Sequence, residues 1–157
     1  MPAWTTGPSG TTWKSGDGPL PPTEPTFVGL FRQATRRSDA DTRGLLPDEV
    51  LDGWRELVAD VRDGHDDTIE EYSHDLDQRD FIERLLGHPL LRDRPECHEF
   101  GEQVAGIDAE FRELLRDDVL PGTESRPWWR RHAPRRADPE LAAGFLTTYG
   151  IRVEGVR

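Results

Sequence analysis

Pro47-Asp-Glu-Val-Leu-Asp-Gly-Trp-Arg-Glu-Leu-Val-Ala-Asp-Val-Arg-Asp-Gly64 is the stretch whose reading decides the fold. Val50, Leu51, Trp54, Leu57, Val58 and Val61 recur at helical spacing and form one apolar stripe. Pro47 suits the first helical position, where its missing N–H costs nothing. Asp48 and Glu49 complement the positive N-terminal end of the helix dipole. Gly64 ends the segment as a residue able to take a left-handed conformation. The stretch therefore predicts an amphipathic helix with one buried face.

The same logic extends outward in both directions. A first helix is expected from Thr26 or Phe27 to Arg37, with Phe27, Leu30, Phe31 and Ala34 on one face. Between Asp66 and Gly87 the phase of Ile69, Tyr72 and Leu76 differs from that of Phe81, Ile82, Leu85 and Leu86. A break at Leu76-Asp77, with Asp77 as cap of the second piece, resolves the conflict. Leu90 and Leu91 are expected to tuck into the core. Cys97, Phe100, Val104, Ile107, Phe111, Leu114 and Leu115 keep phase in a long helix from Pro95 or Glu96 to about Asp117. Gly101 and Gly106 within it suggest a close helix crossing, since each costs roughly 1 kcal/mol relative to Ala. A last helix is capped by Asp138, starts at Pro139 and ends at Gly150. Ile151 to Val153 reads as a short strand without a convincing partner.

The fold expected is all-α, a small irregular bundle of five or six helices over residues 26–157. Residues 1–25 are rich in Gly, Pro, Ser and Thr, a composition that buries too little apolar surface to offset chain entropy, so a disordered tail is expected. Trp4 and Trp13 within it are either incidental or anchors of a linear docking motif. A hydrophobic content of 34% also points to a modest core.

Charge along the chain is strongly segregated. Between Asp39 and Leu120 lie 25 Asp and Glu against 9 Arg. Directly afterwards comes Arg126-Pro-Trp-Trp-Arg-Arg-His-Ala-Pro-Arg-Arg136, with five arginines, two tryptophans and no acid. A net charge of −11 repels phosphate, so direct nucleic-acid binding is not expected. Acidic surfaces instead steer basic partners toward them. Lys14 is the single lysine beside 19 arginines, a bias that suggests GC-rich bacterial coding, while a salt-adapted archaeal source would also explain the acidity; neither carries anything about function. The lone Cys97 excludes an internal disulfide and agrees with a cytoplasmic location. Met1 to Pro8 hold neither a basic leader nor an apolar run, so no secretory signal is expected. No window approaches the roughly 18 apolar residues of a membrane span, so no membrane partner is expected.

Motifs for chemistry are weak. His98-Glu99-Phe-Gly-Glu102 resembles a zinc-protease pattern, but His98 sits about 200° from the buried Phe100 and both ligands face solvent. Glu71-Tyr-Ser-His74 has the Glu-x-x-His spacing of di-iron bundles, and no second pair accompanies it. The acids from Asp60 to Asp77, with His65 and His74, could hold calcium. An EF-hand fails, however, because Gly64 as its sixth residue would put Ala59 and Val61 at ligand positions. Cys97 lies on an apolar face, where a thiol is inert. No nucleophile elbow and no phosphate-binding loop is present. No catalytic residue, metal ligand or cofactor is assigned.

Partner binding is the reading that remains. Asp60, Asp63, Asp66, Asp67, Glu70 and Glu71 are candidates for contact with another, basic protein, as in an immunity or antitoxin-like inhibitor. Trp128, Trp129, Arg130 and Arg131 cap the protein's own core, anchor a partner, which makes the chain an accessory subunit of a larger assembly, or stack on single-stranded nucleic acid, against which the overall charge counts. A metal-dependent enzyme is the third alternative.

Overall fold

The computed structural model describes residues 23–38, 40 and 43–156. Trp4, Trp13 and most of the tail expected over residues 1–25 lie outside the described residues. The architecture is all-α. It comprises α1 (Phe27–Ala34), α2 (Pro47–Asp63), α3 (Ile69–Asp75), α4 (Asp77–Leu86), α5 (Pro95–Glu113) and α6 (Pro139–Tyr149). A 3₁₀ turn covers Trp128–Arg130, and β1 (Arg136–Ala137) pairs in parallel with β2 (Glu154–Gly155). No described helix is long and apolar enough to cross a membrane.

The stripe of α2 is buried as expected, all six of its apolar members included. It packs along the buried Phe100, Val104, Ile107 and Phe111 of α5, where the Trp54 and Phe111 rings meet edge to face at 5.0 Å. Thr26 caps α1 by accepting from the Gly29 N–H at 3.0 Å, and Phe31 meets Phe100 at 5.2 Å. The buried Thr35 hydroxyl donates to the Phe31 carbonyl and accepts from Leu45 N–H, fastening the segment that leads into α2 to the end of α1. Leu91 is fully buried beneath the turn before α5.

Several expectations shift by one competing interaction each. Helix α1 stops at Ala34 rather than Arg37 because Thr35 takes over its terminal carbonyls. The break between α3 and α4 falls at Leu76, but Asp77 makes no cap; its carboxylate turns outward to Arg130 and His74. Helix α5 ends at Glu113 rather than Asp117. The returning chain takes its next backbone groups, with Arg135 N–H donating to Leu114 O at 2.7 Å and Arg116 N–H to Ala133 O at 2.8 Å. The C-terminal strand does have a partner, the segment before α6, so it forms at Glu154–Gly155 rather than at Ile151 to Val153.

The close crossing lies elsewhere than at Gly101 and Gly106. A Cβ on Gly101 would make only ordinary contact with Leu86, and one on Gly106 would meet nothing. At Gly144 of α6, by contrast, a Cβ would fall 2.8 Å from the Cβ of Ile69 at the start of α3. The α3–α6 contact, with Tyr72 and Phe145 at 5.7 Å, therefore depends on a missing side chain.

A charged network crosses this core. Arg79 of α4 and Asp108 of α5 are both buried, at 5% and 8% exposure. Asp108 accepts from Arg79 Nε at 3.0 Å, from Arg79 Nη2 at 2.9 Å and from Trp54 Nε1 at 3.0 Å. Arg79 Nη1 donates to Glu83 at 2.9 Å, and the Trp129 ring covers the guanidinium at 4.3 Å. Burial opposes the charge on Arg79, but the hydrogen bonds it donates to Asp108 and Glu83 outweigh it and hold its pKa above the ordinary value.

Two sets of substitutions test this packing. Gly144→Ala is expected to destabilise the fold by about 1–3 kcal/mol through overpacking, while Gly106→Ala stabilises it by about 0.5–1 kcal/mol; urea titration reads both. Asp108→Ala is expected to cost about 3–5 kcal/mol because it strands a buried guanidinium. The double change Arg79→Met with Asp108→Leu is expected to cost less than Asp108→Ala alone, and the opposite order would mean that packing, not charge, dominates there.

Candidate functional site

Four of the six acidic candidates converge on one cleft. Asp60 and Asp63 come from the last turn of α2, and Asp66 and Asp67 from the loop that follows. That loop reverses because Gly64 adopts φ 113° and His65 φ 41°, both in the left-handed region. Gly64 is the easy choice there, whereas His is an uncommon one. Backbone bonds hold the reversal: His65 N–H donates to Asp60 O at 2.8 Å, and Asp138 N–H to Gly64 O at 2.5 Å. Thr68 then caps α3 through Glu71 N–H at 3.1 Å.

The cleft has a volume of about 350 Å³. Six aspartates line it, Asp60, Asp63, Asp66, Asp67, Asp75 and Asp138, together with Gly64, His65 and Val156. No arginine or lysine is among the lining residues. His65 is buried, and its Nε2 lies 2.9 Å from Asp75 Oδ2. Its ring stands edge to face against Tyr72 at 5.2 Å, and its Nδ1 has no partner among the described residues. Burial pushes the Tyr72 phenol well above its ordinary value, so it stays neutral and forms an uncharged wall behind the imidazole.

Glu70 and Glu71 do not line the cleft. They are exposed in the first turn of α3, where they complement its dipole. His65 and Asp75 belong to the acidic cluster weighed above as a calcium site and are not among the partner-contact candidates, and the sequence marks Asp138 only as a helix cap. Asp138 does cap α6, accepting from Glu140 N–H at 3.1 Å, and in the same position it closes the cleft. Sequence separation hides this, since Asp138 reaches Gly64 only through the tertiary return of the chain.

The basic-aromatic segment is turned toward the protein itself. Trp129 is 5% exposed and donates from Nε1 to Asp80 at 2.8 Å. Arg130 bridges Asp80 and Asp77 and donates to the Ser73 carbonyl at 3.0 Å. Trp128 is half-buried against Phe111, with the Arg112 guanidinium 3.7 Å over its ring. Arg131 donates from Nε to the Arg126 carbonyl, and Arg135 reaches Asp117 at 3.5 Å. Trp129 and Arg130 are thus bound into the fold.

The remaining motifs are where helical phase put them. His98 and Glu102 are exposed and pair with each other at 3.2 Å. Cys97 is buried, and burial raises its thiol pKa, which leaves it a poor nucleophile. His74 is exposed beside Asp77. Comparison with family models, curated proteins and solved structures finds no match for this chain.

Asp80 offers a pH test of the Trp129–Arg130 clamp. Burial raises the carboxyl pKa, but the hydrogen bonds from Arg130 and Trp129 outweigh it and hold the group below its ordinary value. A depressed folded-state pKa gives stability that is fully present above the unfolded value of about 3.9 and lost as pH falls through the folded one. Stability is therefore expected to drop below about pH 4, and Asp80→Asn to flatten that drop. The same variant should lose about 1–3 kcal/mol at neutral pH, as read by denaturant titration across pH.

Proposed function

We propose that this chain is a non-enzymatic binding module whose aspartate cleft receives a basic protein partner. The observation that carries the reading is the cleft's lining of six aspartates with no cation among them. Elsewhere the protein pairs its own acids readily: Asp77 and Asp80 with Arg130, Asp108 with Arg79, Asp118 with Arg116. The cleft is left as a concentrated negative field, and low-dielectric walls focus such a field toward incoming cations.

An immunity or antitoxin-like inhibitor is the concrete form of this role. A protein that grips phosphate must present lysines and arginines, and an acidic cleft engaging them would block the same surface. The basic-aromatic segment has no part in this contact, since its principal side chains serve the fold.

A short arginine-rich peptide serves as a defined probe, with affinity read by fluorescence anisotropy at low and physiological salt. Asp60→Asn, Asp63→Asn and Asp66→Asn together are expected to weaken binding roughly tenfold, mostly through slower association. Neutralising Asp93, Glu99 and Glu102 changes net charge equally but should have a much smaller effect. Equal losses from both sets would show that bulk charge, not the cleft, attracts the peptide.

A further inference from the structure

We infer that His65, Asp67 and Asp75 form a binding site for a divalent transition metal, zinc or manganese. One donor atom from each of the three residues can be chosen so that all lie within 4.8 Å of one another. The closest pair, His65 Nε2 and Asp75 Oδ2, is 2.9 Å apart. Two ligand atoms each about 2.1 Å from a metal and at a right angle to one another would be separated by about 3.0 Å. An ion can therefore take the place of their direct hydrogen bond with little movement of either side chain.

His65 lifts the cluster above an ordinary acidic surface. Its side chain is 5% exposed, yet it forms part of the wall of an open, strongly negative cleft. The Tyr72 ring and the His65 N–H bond to Asp60 O fix the imidazole in place. Its Nδ1 is buried and has no hydrogen-bond partner among the described residues. Coordination engages Nε2, the nitrogen beside Asp75, and leaves Nδ1 to carry the ring proton.

Donor chemistry selects the ion. Calcium and magnesium take oxygen ligands almost exclusively. One imidazole nitrogen with two carboxylates instead suits zinc, a borderline ion, and accommodates manganese mainly through the carboxylates. The neighbouring Asp63, Asp66 and Asp138 add negative potential and can accept hydrogen bonds from metal-bound waters. This arrangement differs from an EF-hand: its ligands come from one side of Gly64 only, and a buried histidine takes the central place.

The inference stands apart from the basic-partner reading, because it is tested on the isolated protein with metal alone. Full-length chain stripped with chelator is titrated calorimetrically with zinc, manganese, calcium and magnesium chlorides. Binding of one zinc per chain is expected, with manganese weaker and calcium and magnesium at least tenfold weaker than zinc. Cobalt substituted for zinc should show visible absorption bands from nitrogen coordination. Asp67→Asn and Asp75→Asn, both at partly exposed positions and so able to fold, should each weaken zinc at least tenfold. His65→Gln should abolish the cobalt bands. Zinc affinity unchanged by Asp67→Asn and Asp75→Asn, or lost instead on His98→Gln or His74→Gln, overturns the site. So does equal affinity for calcium and zinc, which would reduce the cleft to a diffuse acidic surface. The Asp60, Asp63 and Asp66 variant retains all three ligands, so it should still bind one zinc per chain, more weakly for the loss of its outer carboxylates, and zinc stoichiometry and peptide affinity can fail separately.

Discussion

Everything in this fold is arranged around a guanidinium that cannot be left alone. Arg79 is 5% exposed in the middle of the helix packing, and an unpaired charge there would cost several kcal/mol. Asp108 answers with both oxygens, and Trp54 donates a third bond to the same carboxylate. One residue each from α2, α4 and α5 is thus locked to the others by direction as well as distance. Sliding any of these helices by a turn would strand a charge, so the network fixes a register that apolar stripes alone would specify loosely. Trp129 lays its ring over the guanidinium, which makes the C-terminal segment part of the same lock.

That segment explains how the chain's charge segregation is resolved. A run of arginines following a long acidic stretch suggests two separate surfaces. In the structure the run folds back, so Arg130 meets Asp77 and Asp80, while Arg135 meets Asp117. The backbone of the return supplies partners to the end of α5 and then to β2, which places Asp138 against Gly64. The cleft is therefore assembled from both ends of the domain, its floor by α2 and α3 and its far edge by the start of α6.

Helix identity was legible from sequence wherever a cap and a stripe agreed, as at Pro47 to Gly64 and Asp138 to Gly150. Boundaries failed where tertiary bonds took over backbone groups, as at Thr35 and Leu114. The buried ion pair left a signal that composition obscured. Asp108 follows Ile107 on the face defined by Val104 and Phe111, and Arg79 sits between Leu76 and Ile82. One acid and one base, each on an apolar face, are complementary exceptions. Half of the cleft was readable because Asp60, Asp63, Asp66 and Asp67 are close in sequence. Its geometry was not, since the left-handed turn at His65 and the approach of Asp138 depend on long-range contacts.

The cleft also gathers acids at both favourable and unfavourable helix ends. Asp66 and Asp67 precede α3, and Asp138 precedes α6, where helix dipoles favour negative charge. Asp60 and Asp63 instead occupy the last turn of α2, and Asp75 is the last residue of α3. At those ends the dipole is negative, so each carboxylate meets an unfavourable field in addition to its neighbours. Sequences that specify a fold tend to agree with themselves at every level, and departures concentrate where function demands them. Here three such carboxylates share one location. Three ill-placed carboxylates line the same space, and a positive charge entering it would reduce the repulsion among them. On the proposed readings, this electrostatic cost is what a cation would draw on, whether presented by a protein side chain or as an ion.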